Sequence, residues 1–279
     1  MMRSLWTAAS GMRAQQTNVD TIANNLANVN TIGYKTQEAT FKSLLYQNLQ
    51  STSTNNAGEN KPVAAEVGLG TRTAAITAIF RQGNITDIDD PFCMAIEGDG
   101  FFQVKDASGQ TLYTRDGSFI VSPTEEGNYL CTSDGYYVLD QFGNNIVLPT
   151  TYMASDLQVT KEGVLGFPGA DGNVVPLTGT NAQGQTYNIT FGLVQFNNPA
   201  GLTRESGNNY AVSVASGDPV PEGTANAKPS KVHQKHQESS NVDVANEIVN
   251  LIVAQRAYEM NSKAIQATDD MMQQANNLR

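Results

Sequence analysis

The sequence predicts an α+β protein whose two ends are helices and whose middle is an all-β domain of short antiparallel strands. Three observations predict it. Apolar residues recur at heptad spacing from Leu5 to Val29; residues 241–279 contain neither Gly nor Pro; and the intervening chain is built of short aromatic and β-branched runs punctuated by Asp-Gly dipeptides. The N- and C-terminal helices are expected to form a coiled-coil pair with the β domain inserted between them.

The N-terminal helix is justified by two columns of residues. Leu5, Met12, Val19 and Leu26 form one, and Ala8, Gln15, Ile22 and Val29 the other, a narrow seam broken only by Gln15. Gly11 costs about 1 kcal/mol relative to Ala inside a helix, and Gly33 supplies a stop. The stretch ANNLANVNTIGYK then places Asn24, Asn25, Asn28 and Asn30 close together, although asparagine is a poor helix former because its amide competes for backbone groups.

The C-terminal helix is predicted to be capped by Ser240 or Asn241, with Asp243 in its first turn, where the helix dipole favours a carboxylate. One column, Val244, Leu251, Tyr258, Ile265 and Met272, is apolar throughout. Its companion, Ile248, Gln255, Ser262, Asp269 and Asn276, turns polar after its first member. Such a helix needs a partner offering amides as well as methyl groups, which the N-terminal helix does. Charge supports the pairing: Arg3, Arg13 and Lys35 against Asp20 leave +2 in residues 1–36, and the groups of residues 241–279 leave −2.

The middle of the chain reads as strands at CMAIEG, FFQVKD, TLYTR, SFIVS, NYLCTS, YYVLD, TYNITFGLVQF and NYAVSVAS. Asp99-Gly100, Asp116-Gly117 and Asp134-Gly135 suit a meander of hairpins. GVLGFPGADGN reads as turns, and the polar stretches 47–70 and 216–240 as linkers. The organisation expected is an N-terminal coiled-coil helix at 1–36, an extended segment at 37–88, the β domain at 89–230, and a linker plus C-terminal coiled-coil helix at 231–279.

Composition excludes several functions. A net charge of −10 argues against a nucleic-acid partner. No stretch approaches the roughly 18 apolar residues of a membrane span. The opening MMRSLWTAASGMRAQQ has no apolar core of a secretory signal, so composition alone points to the cytoplasm. Cys93 and Cys131 would either pair in an oxidising compartment or sit as small buried thiols, and the second is the expectation. His233 and His236, three apart with no third strong ligand, read as polar linker residues rather than a metal site. Asp87, Asp89 and Asp90 lack the Gly and terminal Glu of a calcium loop and read as turn acids. No G-x-S-x-G, phosphate loop or H-E-x-x-H is present. The reading is a protein that is not an enzyme and holds no metal or cofactor.

An apolar stripe is usually the inner face of an ordinary core helix. Here, however, the two most regular helical patterns occupy the extremes of the chain, where segments are normally plain. Two end helices that pack together and keep a polar seam for outside partners describe a polymerising subunit. The residues expected at the assembly interface are Leu5, Met12, Val19, Ile22, Asn24, Asn25, Leu26, Asn28 and Val29, with Ile248, Leu251, Tyr258, Ile265 and Met272.

SLWTAASGMRAQQTNVDTIANNLANVNTIGYK resembles the N-terminal signature of the bacterial flagellar rod and hook protein family, and SSNVDVANEIVNLIVAQRAYEMNSKAIQATDDMMQQ its C-terminal signature. AIEGDGFFQV followed by YTRDGSF resembles the β domain that family shares. Length, the opening SLWTAASGM and FKSLLYQNLQ look most like the distal-rod branch, with proximal rod and hook proteins as the nearest rivals. The resemblance implies a helical homopolymer, an inner coiled-coil layer around a hollow bore, and transmission of torque to the hook. It implies contacts with proximal rod and hook proteins, the L- and P-ring bushing and the flagellar export apparatus. It also implies a place in the basal body within the periplasmic space, reached without a cleaved signal peptide, which replaces the cytoplasmic expectation. On helices with many neighbours, the asparagines would bridge to adjacent subunits. An insertion near residues 47–70 would lie between subunits, with Val63, Val67 and Leu69 as docking points. The rivals from other classes are a peptidoglycan-cleaving rod-associated enzyme and a free coiled-coil binding module.

Overall fold

The computed structural model describes residues 2–50, 65–124, 127–150, 152–169, 174–180, 184–223 and 228–277. It is a mixed α/β fold with one long helix at each end and antiparallel strands between them. The chain divides into two compact units, one of Met1–Ala27, Gln37–Ile79 and Asp243–Arg279, the other of Asn28–Thr36 and Phe80–Val242.

The first unit holds helix α1 (Met2–Ala27), strands β1 (Gln37–Ser43), β2 (Tyr46–Gln50), β3 (Ala65–Gly68) and β4 (Thr71–Ala78), and helix α2 (Val244–Asn277). No proline interrupts either helix. Threonines are accommodated in α1 because their hydroxyls bond back to the preceding turn, Thr17 to the Arg13 carbonyl and Thr21 to that of Thr17. The α2 cap is Asp243, two to three residues beyond the expected positions, its Oδ1 accepting from the backbone N–H of Ala245 (3.0 Å). Strands β1 and β4 pair antiparallel with a bulge at Thr40/Phe41, and β2 pairs with β3. Within the 47–70 stretch read as linker, residues 47–50 and 65–68 are therefore strand, and 51–64 lie outside the described residues.

The second unit runs through β5 (Ile85–Asp87), β6 (Met94–Glu97), β7 (Phe101–Lys105), β8 (Thr111–Thr114), β9 (Phe119–Thr124), β10 (Gly127–Thr132), β11 (Tyr137–Val138) and β12 (Val147–Leu148). A small three-stranded sheet follows, β13 (Gln158–Val159), β14 (Leu165–Pro168) and β15 (Val174–Pro176). Next come β16 (Thr178–Thr180), β17 (Thr186–Asn188), β18 (Leu193–Gln195), β19 (Thr203–Arg204), β20 (Asn209–Ala211), β21 (Val220–Pro221), β22 (Lys231–Gln234) and β23 (His236–Glu238). The main sheet is ordered β12-β10-β11-β7-β8-β20-β19, all pairs antiparallel. Strand β7 is its hub. One edge pairs with β8, and the other is shared between β18 and β11.

Adjacent residues of a strand point to opposite faces, and Phe101-Phe102 uses this to build two cores. Phe102 sits among Met94, Ile96, Leu130 and Leu165, edge-on to Phe119 at 5.1 Å. Phe101 packs with Tyr113, Phe196 and Tyr210 on the other side.

Several sequence readings are corrected here. Of the three Asp-Gly turns, only Asp134-Gly135 joins paired strands, β10 and β11. The strands flanking the other two each pair elsewhere. The stretch GVLGFPGADGN, read as turns, contains β14, whose Leu165 and Phe167 are buried. Gly166 between them is required, because a Cβ there would stand 2.6 Å from the Val175 carbonyl oxygen. The stretch 216–240 ends in two strands, β22 on β6 and β23 on β5. Their partners lie far away in sequence, so the local polar composition concealed them. The imidazole of His233 contacts Glu97 (2.8 Å), and His236 Nδ1 the Gln234 carbonyl (2.7 Å). Among the described residues no group of three or more His, Cys, Asp or Glu is arranged to hold a metal ion. Cys93 and Cys131 are free and buried, and burial pushes both thiols up from their ordinary pKa.

The second unit also encloses an ion triad. Lys35 is 0%, Glu238 1% and Arg115 3% exposed. Lys35 Nζ donates to Glu238 Oε1 at 2.7 Å and to the Arg81 carbonyl at 3.1 Å. Arg115 reaches Glu238 Oε2 at 3.4 Å and the Gly98 carbonyl at 2.8 Å, with its guanidinium over the Phe101 ring. The Gly83 N–H also donates to Glu238 Oε1. Burial depresses the pKa of both cations, opposed by the Glu238 charge. Lys35 thus spends its charge inside the β unit rather than in pairing the helices. Backbone bonds close the same junction: Gly33 N–H donates to the Glu238 carbonyl, and Thr36 N–H to Asn241 Oδ1 at 2.7 Å. Gly33, the expected stop, has φ +65° and lies against the Arg115 backbone, so a side chain fits neither the conformation nor the space.

Candidate assembly interface

Helices α1 and α2 lie side by side and antiparallel. Ser4 meets Thr268 at 3.5 Å, Gly11 lies against Asn261, and Asn25 Nδ2 donates to Glu247 Oε1 at 3.3 Å. The first two contacts are one heptad apart on both helices, and the third lies two heptads further along both. Ala254, in the same α2 column, is buried. The close seam is therefore Ser4, Gly11 and Asn25 against Glu247, Ala254, Asn261 and Thr268. Heptad spacing is as the sequence predicts, but the companion column of α2 is shifted by one residue from Ile248, Gln255, Ser262 and Asp269. Small size at Gly11 has a reason: a Cβ there would come within 2.9 Å of Asn261 Nδ2. The side-chain amide oxygen of Gln15, Oε1, is buried without a partner among the described residues.

On its other flank α1 meets the ribbon. The Thr71 N–H donates to Ser10 Oγ, and a Cβ on Gly70 would stand 2.1 Å from that oxygen. Asn25 secures the start of β1: its Nδ2 donates to the Gln37 carbonyl at 2.8 Å while its Oδ1 accepts from the Gln37 N–H at 2.9 Å. An asparagine amide offers a donor and an acceptor in the spacing of a peptide group, so it continues the ladder across the helix end. Asn25→Ala is expected to cost about 2–3 kcal/mol, because it removes both side-chain bonds to the Gln37 backbone; thermal melts followed by circular dichroism measure it.

Glu247 is mostly enclosed, and burial raises its pKa, an effect the Asn25 bond reduces. A carboxylic acid whose folded pKa is raised binds its proton more tightly when folded. The helix unit therefore gains stability as pH falls through that raised pKa, and the gain is complete below the ordinary value of 4.5. Glu247→Gln is expected to remove this slope and to raise the melting temperature at pH 7 by a few degrees.

Among the residues expected at the interface, Ile22 and Asn25 are buried; Leu5, Met12, Val19, Leu26, Leu251, Ile265 and Met272 are half-buried; Asn24, Ile248 and Tyr258 are exposed. Asn28 and Val29 lie beyond the end of α1, half-buried, with Asn28 Oδ1 accepting from Thr31 Oγ1. Val63 lies outside the described residues, and Val67 and Leu69 are exposed. Sequence reasoning missed Ser4, Gly11, Glu247, Asn261 and Thr268; small and polar residues repeating every seven positions were the available signal. The ribbon also presents Leu45 (83% exposed), Tyr46 and Leu49 to solvent. No helix among the described residues is long and apolar enough to cross a membrane.

The sequence that builds this helix pair and the β unit matches three known families. Residues 5–35 match the one described as flagella basal body rod protein, 95–166 the flagellar hook protein FlgE/F/G D1 domain, and 233–278 the flagellar basal body rod FlgEFG protein C-terminal region. The class is thus that of flagellar rod and hook proteins. Full-length relatives narrow it. The flagellar basal-body rod protein FlgG of Borreliella burgdorferi is 42% identical, covering 100% of this chain and 99% of that protein. FlgG of Agrobacterium fabrum is 41% identical over 97% of each, and FlgG of Bacillus subtilis 34% over 100% of each. The chain belongs to the FlgG family of flagellar basal-body rod proteins.

Proposed function

We propose that the chain is a structural subunit of the flagellar distal rod, assembling with copies of itself into a helical, hollow drive shaft that transmits torque to the hook. The single observation that carries this is the unfinished state of the helix unit. Its apolar columns are half-covered, and its β2–β3 ribbon, two strands alone, exposes Leu45, Tyr46, Leu49, Val67 and Leu69. Isolated two-stranded ribbons are marginal in water, and contiguous exposed apolar surface marks an interaction site. In this reading α1 and α2 form a coiled-coil pair in the inner layer of the shaft. The ribbon, with Val63, Val67 and Leu69, bridges adjacent subunits and keeps the shaft straight.

The partners are further copies, proximal rod and hook proteins, the L- and P-ring bushing and the export apparatus. The place is the rod in the periplasmic space, reached without a cleaved signal peptide, and the role involves no catalysis. Leu251→Asp tests the assembly. Packing a neighbour over that carboxylate costs on the order of several kcal/mol in every subunit. Filaments seen by electron microscopy for the parent protein are expected to vanish while the β unit keeps its folded near-UV spectrum; normal filaments would refute the packing. Deleting Ser51–Pro62 tests the ribbon's role. Curved or softer rods are expected, and straight rods of equal stiffness would reduce the segment to a linker.

A further inference from the structure

The face of α2 turned away from α1 is as regular as the face turned toward it. Val249, Ile252, Val253, Met260 and Met271 are each at least half exposed, and they recur at the three- and four-residue steps that keep one side of a helix together. Arg256 and Lys263 fall within the same stripe, and Asp270 follows one heptad beyond Lys263, leaving the stripe a net charge of +1. Between Val249 and Met271 the stripe runs about 33 Å at the helical rise.

Elsewhere in the same unit lies a groove that complements it. On one side of the α1–α2 seam a hollow of about 420 Å³ is lined by Gln16, Val19, Gln255, Tyr258 and Glu259. Leu5, Met12 and Leu26 continue the Val19 column along α1, half-buried as Val19 is, so the track between Leu5 and Leu26 is about 32 Å long. Its rim carries more acid than base: Glu259 lines the hollow, Asp269 stands two heptads beyond Gln255, and Asp20 one turn beyond Gln16, against Arg13 one heptad before Asp20. The Val19 column, of which the hollow is one stretch, and the stripe are thus similar in length, both carry apolar residues at helical steps, their summed charges are opposite in sign, and they occupy different faces of α2.

We infer that the outer stripe of α2 in one copy docks into the α1–α2 groove of the next copy. Met260, midway along the stripe, enters the hollow beside Val19, and its unbranched side chain suits an irregular site. Arg256, which reaches Glu259 of its own helix at 2.9 Å, faces the acidic rim of the neighbour. The contact is heterologous: each copy uses one surface to give and another to receive, so it propagates into a filament unless the rotation closes a ring. The inference rests on the assembly reading above and names the surfaces that carry it.

A mixed cross-link separates the two. Met260→Cys and Val19→Cys are made singly, each in the full chain, where Cys93 and Cys131 are buried and protected. The variants are assembled alone or mixed, then treated with a short bis-maleimide. Covalent dimers are expected from the mixture and from neither variant alone. Filaments that form without the mixed dimer overturn the stripe-to-groove contact and leave the rod reading standing. Dimers from Met260→Cys alone overturn it in favour of a symmetric contact, and failure of the parent protein to polymerise overturns both. A second variant guards against a cysteine that disturbs assembly: Val253→Asp/Met260→Asp changes only exposed side chains. Its monomer should keep the parent's helical signal while the critical concentration for polymer rises at least about tenfold; an unchanged critical concentration overturns the contact.

Discussion

Glu238→Gln is expected to destabilise the β unit by about 3–5 kcal/mol, a large part of the 5–15 kcal/mol that holds an ordinary domain together. The substitution preserves shape and leaves an oxygen for Lys35 or the Gly83 N–H. It removes the anion that both buried cations share. Each of those cations already sits at a depressed pKa because water is excluded. Lys35→Met should cost less, because the remaining Arg115–Glu238 pair is neutral as a unit. Urea unfolding measures both, and the prediction concerns their order: a lower midpoint for Glu238→Gln than for Lys35→Met, with the slope unchanged in each. The reverse order would mean that Lys35 contributes chiefly through its bond to the Arg81 carbonyl.

Gly117→Ala is expected to cost about 3 kcal/mol or more, and Gly135→Ala about 1–2 kcal/mol, although both glycines follow an aspartate in the same kind of dipeptide. A Cβ on Gly117 would lie 1.7 Å from the Met94 carbonyl oxygen, and the Gly117 carbonyl accepts from the Met94 N–H. Relieving that clash requires β6 to move, with Met94 and Ile96 in the main core. At Gly135 nothing lies within 4 Å of the added carbon, and the penalty comes from its φ of +85° alone. Thermal melts of the two single variants give the comparison. Equal effects would mean that β6 yields readily.

The helices were legible because their information is local: heptad spacing, freedom from Pro, and a carboxylate at the start of α2. The phase of the seam was not. Leu251 and Ile265 stand out in any pattern of apolar residues, whereas Gly11, Asn261 and Thr268 pack through small size and hydrogen bonds, which hydropathy does not weigh. Strand existence was legible at FFQVK and TLYT, where aromatic and β-branched residues alternate. Strand partnership was legible only at Asp134-Gly135, because elsewhere the partners are remote and the turns merely redirect the chain. Asn25 is the clearest lesson. Its poor helix propensity was visible, but its use, an amide standing in for a peptide group beside Gln37, depends on where the chain goes after the helix ends.

The remoteness of those partners also sets a timetable. Strand β6 pairs with β22, β5 with β23, and α1 with α2, so each bond of this kind closes a loop spanning much of the chain. Loop closure of that length slows folding, because chain entropy is lost before any contact rewards it. A chain emerging N-terminus first has no strand partner for β5 or β6 and no carboxylate for Lys35 until Lys231–Glu238 has been made, and α1 has only the ribbon until α2 follows. The protein therefore spends its synthesis as an incomplete chain, and its last fifty or so residues decide when folding can finish.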